Sequence, residues 1–154
     1  MAIKGEISIK TAQIGELQGP RDNKTSLIYE LKHEVSLPSD SEGNVIQGTR
    51  RISLFEIVKS IDRITPLLYN IVSTGSTCDE VMVTLYKMAD TGMEGKYFQY
   101  KLNDATIVCV QNWIPPTYVP ESDSIGHLER VKFHAGKITW TYLDGNITHE
   151  EKAY

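Results

Sequence analysis

The sequence predicts a mainly β protein, a two-sheet barrel or sandwich with one short flanking α-helix and a long extended loop. Three observations carry this expectation. Apolar and polar residues alternate through most of the chain, the period of a strand with one face buried. Clusters of turn-forming residues separate seven or eight such runs. One segment, TPLLYNIVSTG from Thr65 to Gly75, abandons that period for helical spacing.

Taken in order, Ile3, Ile7 and Ile9 alternate with polar partners and give a first strand. QGPRDNKT then has the composition of a loop. Leu27, Tyr29, Leu31, His33 and Val35 fall on one face of a second strand, and Glu30, Lys32 and Glu34 form its wet face. PSDSEGNVIQG, Pro38 to Gly48, is the longest stretch of loop chemistry in the chain and reads as an exposed, glycine-hinged arm. The run ISLFEIVKSI that follows is apolar on both faces through Ile52, Leu54, Phe55, Ile57 and Val58, so something must cover both sides. The next segment is the natural cover. Thr65 as N-cap, Pro66 at the first helical position and Gly75 as the stop punctuate a helix whose apolar residues are Leu67, Leu68, Ile71 and Val72. Strand patterns resume with VMVTLYKM, turn at ADTGMEG and continue through KYFQYKL and TIVCVQNW, which Pro115 and Pro116 end. HLERVKF and KITWTY complete the set, the latter with Ile138, Trp140 and Tyr142 on one face.

A chain of 154 residues without repeat, low-complexity tract or linker is expected to be one domain, 1–154, large enough to bury a core without staples. A net charge of −4 argues against a nucleic-acid binder, because phosphate recognition needs a basic field. No apolar run reaches membrane-spanning length, so no membrane insertion is expected. MAIKGEISIK carries Lys4 inside an alternating pattern and lacks the apolar centre of a signal peptide. Cys78 and Cys109 form no C-x-x-C motif and read as free thiols packed as small hydrophobes. The sequons at Asn23 and Asn146 acquire meaning only in a secretory pathway.

Catalytic chemistry is hard to assemble from these residues. His33, His127, His134 and His149 show no metal-ligand spacing, and neither cysteine stands near one of them, so no metal is expected. Asp123, His127 and Glu129 could be imagined as a charge relay, but no strained nucleophile turn accompanies them. The glycines of GNVIQG have phosphate-loop spacing, yet Thr49 and Arg50 stand where the lysine and hydroxyl residue belong, and a strand follows instead of a helix. Tyr97, Phe98, Tyr100, Trp113, Trp140 and Tyr142 could stack bases, but no basic cluster flanks them and core packing is the better account. No cofactor motif is present.

Three separated segments carry a resemblance. GTRRISLFEIVKSIDRITPLLYNIVSTG from Gly48 is similar to the Hcp family pattern of G-T-R, strand, I-D, S-P-x-L-Y and T-G. KYFQYKLNDATIV resembles the family's strand pair built on x-K-L-x-N-A, and HLERVKFHAGKITWTYLDGNI its closing strands, with K-I-T-W-T-Y-x-D-G-N as hallmark. The resemblance implies a subunit of the inner tube of the bacterial type VI secretion system: a barrel with a flanking helix, assembled as hexameric rings stacked into a tube. It further implies a VgrG spike at the tip, a contractile sheath around the tube, effector proteins as cargo, and neither cofactor nor catalysis. Such a protein is cytoplasmic before firing and is then secreted without a cleaved signal peptide. The chain departs from the family at Arg51, Ile52, Ser53 and Leu54, where His and Pro are common, and at Val58 to Asp62, which suggests a divergent paralogue.

A tube subunit needs contacts that close a ring and contacts that stack rings. The residues expected to serve as subunit interface are those of the extended loop: Ser39, Asp40, Ser41, Glu42, Gly43 and Asn44. The rival from another class is a monomeric, lipocalin-like ligand-binding barrel, which would need a large dry pocket. A hydrolase or toxin is a further rival, for which the sequence offers no constellation.

Overall fold

The chain lays down β1 (Gly5–Thr11), β2 (Gly15–Glu16), β3 (Ser26–Lys32) and β4 (Val35–Ser36) in the computed structural model, which describes residues 5–40, 45–46, 48–122 and 124–152. A short pair, β5 (Ser39–Asp40) and β6 (Val45–Ile46), precedes β7 (Arg51–Ile52) and β8 (Phe55–Ser60). After α1 (Thr65–Thr74) come β9 (Thr77–Met88) and β10 (Glu94–Trp113). A turn of 3-10 helix at Pro120–Ser122 leads to β11 (Leu128–His134), β12 (Lys137–Tyr142) and β13 (Ile147–Lys152).

Six of these strands close into a barrel in the order β1, β3, β8, β11, β10, β9 and back to β1, every pairing antiparallel. Closure leaves these strands without the unpaired edges that recruit foreign strands. β12 and β13 extend the sheet outward from β10. Alternation along each strand fills the interior: Ile7, Phe55, Val81, Val83, Leu102, Val131 and Phe133 are each at most 1% exposed. The barrel is therefore packed with side chains, not hollow, which disfavours the lipocalin-like rival. Ile7 and Ile9 are buried as their spacing predicts, whereas Ile3 lies outside the described residues.

The expected inward face of the second strand holds only at Leu31 and His33, and Val35, expected on the same face, is 43% exposed in β4. Ser26 and Ile28 are buried and Tyr29 is 53% exposed, the reverse of the pattern through Leu27 and Tyr29. A bulge against β8 between Ile28 and Glu30 shifts the register by one residue and exchanges the two faces. Beyond it Leu31 joins the core and His33 packs on Phe55. The two runs KYFQYKL and TIVCVQNW are one strand of 20 residues, β10, bent at Asp104, whose φ is +50°. On one side of the bend β10 pairs with β12, and on the other it pairs with β11 to close the barrel. β13 is an addition. Its ITHEEK sequence lacks an apolar face and earns no place by pattern; pairing with β12 along its whole length, Tyr142↔Ile147 to Lys137↔Lys152, makes it a strand.

The helix forms where the proline and glycine place it, with Gly75 in the left-handed conformation at φ 70° and its amide bonded to the Ile71 carbonyl. Its start differs from expectation. Ile64, not Thr65, holds the N-cap position, and no side chain caps it. The Thr65 hydroxyl instead accepts the Asp62 amide at 3.1 Å and donates to Glu129 at 3.1 Å. The helix packs chiefly against β10, closing the barrel end with Ile64, Leu68 and Ile71, and does not cover the outer side of β8. Under it lies a buried polar cluster that spacing did not reveal. Lys59, 0% exposed, reaches Glu129 at 2.6 Å and Asp62 at 3.0 Å, and Glu129 is 0% exposed as well.

Candidate subunit-contact arm and its root

Two short ladders carry the chain away from the barrel. β4 pairs with β7 through Val35↔Ile52 and Ser36↔Arg51, and β5 pairs with β6 through Ser39↔Ile46 and Asp40↔Val45. Among the described residues neither pair joins the main sheet. Between the two ladders the outgoing side has Leu37 and Pro38, and the returning side has residues 47 to 50. The proline cannot donate to a ladder, and Gly48 takes φ +83°. The arm expected from loop chemistry is thus a two-stranded ribbon at its base. Of the residues expected at the interface, Ser39 and Asp40 lie in β5, while Ser41, Glu42, Gly43 and Asn44 lie outside the described residues.

The root of the arm is fixed by polar and aromatic contacts. Ser53 and Glu34 exchange two bonds: the Ser53 amide donates to the Glu34 carbonyl at 2.8 Å, and the Glu34 amide donates to the Ser53 hydroxyl at 2.8 Å. Arg50 pairs with the Glu151 carboxylate at 2.9 Å and also donates to the Lys152 carbonyl, which binds the returning side to β13. His33 sits among Phe55, Tyr100 and Trp140, with ring centroids at 5.3, 6.2 and 5.8 Å. Trp140 is stacked with two imidazoles, His33 and His149, each with ring centroids at 5.8 Å. Burial holds the His33 pKa below its ordinary value of 6.5 and raises that of Tyr100. Two open clefts of about 670 and 440 Å³ flank His33, and both are also lined by Tyr100. Spacing alone placed His33 on a strand face but could not show that a tryptophan 107 positions later would cover it.

The residues weighed for chemistry do not converge. Glu129 is buried in its pair with Lys59, His127 is exposed, and Asp123 lies outside the described residues. Among the described residues no three His, Cys, Asp or Glu side chains gather as a metal site. Cys78 and Cys109 are free thiols; burial, followed by the charge of Asp79, pushes the Cys78 pKa up to about 11. Such a thiol stays protonated and unreactive near neutrality. Of the aromatic residues, Tyr100 and Trp140 pack on the core and Arg130 lies 5.2 Å over the Trp113 ring.

A closed antiparallel barrel filled with side chains, with a paired ribbon outside its sheet, defines a class: a packed barrel, not a ligand-holding one. Comparison with known proteins gives the family. The sequence model of the family described as "Type VI secretion system effector, Hcp" matches residues 1–142. The chain belongs to the Hcp family, the tube proteins of the type VI secretion system. It is 29% identical over 116 residues to the "Major exported protein" of Pseudomonas aeruginosa, covering 75% of this chain and 67% of that one. Its structure matches the Hcp1 protein of Escherichia coli EAEC 042, solved as a double mutant, with a TM-score of 0.86, 30% identity and coverage of 99% and 100%. The secreted protein Hcp3 of Pseudomonas aeruginosa has the same fold, with a TM-score of 0.80 at 21% identity and 99% coverage of both chains.

Proposed function

We propose that this chain assembles as hexameric rings that stack through the arm into the inner tube, inside a contractile sheath and behind a VgrG spike, with effector proteins as cargo. The observation that carries the stacking role is the ribbon itself. Among the described residues β5 and β6 pair with each other and not with the main sheet, so they are no part of the barrel's ladders. A segment whose backbone pairs outside the main sheet, yet is built as a ladder instead of a loose loop, is suited to contact a neighbour. Asp40 and Glu42 give the sequence of the arm an acidic character, which fits a contact that salt weakens, since exposed charges are screened over about 8 Å at physiological ionic strength.

The subunit's role on this reading is mechanical and it catalyses nothing. It is made in the cytoplasm and leaves by the type VI route. Replacing residues 39–44 with a short Gly-Ser turn is the direct test. Rings and melting behaviour should persist, while ring-on-ring stacking in negative-stain images and tube-dependent secretion should fall. Stacking and export at the unmodified level would reduce the arm to a solvated loop.

A further inference from the structure

The arm's root touches the C-terminal hairpin at two points, and β13, the strand that receives Arg50, lies beyond the residues matched by the family model. We propose that His33 and Arg50 form an acid-sensitive latch that clamps the root of the arm onto β12 and β13. The inference concerns how the arm is held and stands whatever the arm contacts.

The geometry has two parts. Arg50 binds the returning side through the Glu151 carboxylate at 2.9 Å and the Lys152 carbonyl. His33 binds the outgoing side by stacking on Trp140, and both of its ring nitrogens are buried without a hydrogen-bond partner among the described residues. A ring whose nitrogens are buried without a hydrogen-bond partner is held as the neutral species, because burial penalises the imidazolium. The charged and titratable groups around it do not change that. Along its own segment stand Lys32 and Glu34, from β8 comes Glu56, from β11 Lys132 and from β10 the Tyr100 hydroxyl. On the other side stand Arg50, His149 and Glu151. The carboxylate of Glu56 is already bound by Arg130 at 2.7 Å, and that of Glu151 by Arg50 and, at 3.0 Å, by His149. Glu34 is exposed and faces water. A proton on His33 would therefore add a cation to a site already holding Arg50 and two lysines.

The direction of the effect follows from linkage. The folded-state pKa of His33 lies below its ordinary 6.5, so the unlatched ring takes up a proton first as pH falls. Latching is complete above about pH 6.5 and is lost progressively as pH drops toward the folded-state value. When the ring leaves for water it draws Glu34 with it and strains the Glu34–Ser53 bonds that start the ribbon. The barrel ladders, which do not involve His33, remain.

Hydrogen exchange read on peptides spanning residues 33–53, corrected for the intrinsic pH dependence of exchange, tests the latch in the full chain. Arm opening should be severalfold greater at about pH 5 than at pH 7.5, in the direction set by the lowered folded-state pKa. Peptides from β9 should not change. His33→Phe keeps an aromatic ring in the box without a titrating group and should hold the arm closed at both pH values. Arg50→Gln should raise opening at pH 7.5. Equal arm protection in acid and at neutrality, or acid opening undiminished in His33→Phe, would overturn the latch. Should H33F not fold, ¹³C-labelled histidine in the unmodified protein decides the matter: the His33 ring and arm opening must share one midpoint, and a ring that titrates while the arm stays protected rejects the proposal.

Discussion

Lys59 and Glu129 are the residues whose removal from water is most demanding, and their burial depends on register. The β8–β11 ladder sets Glu129 opposite Lys59, and α1 then seals both with the Thr65 hydroxyl bonded to the same carboxylate oxygen. In sequence nothing pairs them: Lys59 sits in a run apolar on both faces, and Glu129 stands near His127 and Asp123. Removing Glu129 leaves the buried Lys59 with Asp62, at 3.0 Å, as its remaining carboxylate, so Glu129→Ala should cost about 3 kcal/mol of stability, the low end for a broken buried pair, measured by urea unfolding. Replacing both, Lys59→Met with Glu129→Leu, should recover most of that loss, because an apolar pair of similar volume avoids the desolvation cost. A double mutant as unstable as the single one would show that the pair contributes more than the mutual cancellation of two buried charges. His33 illustrates the same limit of pattern reading: alternation assigns it a strand face, but its unpartnered nitrogens and its stack on Trp140 exist only once β12, paired with β10, brings Trp140 against it.

At the scale of elements, α1 is the most legible and also the most instructive. Proline, apolar spacing and terminal glycine define it without help from the rest of the chain. What it covers is a tertiary matter, since a helix seals whichever opening lies within reach of its two short connections. Leu68 is 0% exposed at the barrel end, so Leu68→Asp should lose several kcal/mol and aggregate or unfold the subunit. Leu68→Ala should lose about 2–5 kcal/mol with the fold retained. An unchanged melting temperature for Leu68→Asp would contradict the packing described. The arm is the complementary case. Loop chemistry marked the segment, whose described residues Ser39–Asp40 and Val45–Ile46 are paired strands, and the ladders β4–β7 and β5–β6 are too short to announce themselves by alternation.

For the whole molecule, belonging to the tube family makes association the property to measure. Native mass spectrometry of the purified chain at micromolar concentration should give a hexamer, and a sole monomer would contradict the ring. Raising salt should separate stacked rings before it dissociates single rings, if the acidic arm supplies the stacking contact as proposed. Sedimentation at two ionic strengths distinguishes these steps.

The sequence by itself determined the fold class, the single helix, the position of the arm and, through three matched segments, the family. Each of these rests on local periodicity, on turn chemistry or on residues close together in the chain. Only the tertiary structure decided the face of β3, the continuity of β10 through Asp104, the existence of β13 and the identity of the buried charges. A bulge reverses inside and outside without altering composition. An edge strand such as ITHEEK is recruited by its neighbour's unpaired backbone, not by its own side chains. A lysine and a glutamate 70 positions apart become one buried ion pair only when barrel closure sets their strands side by side.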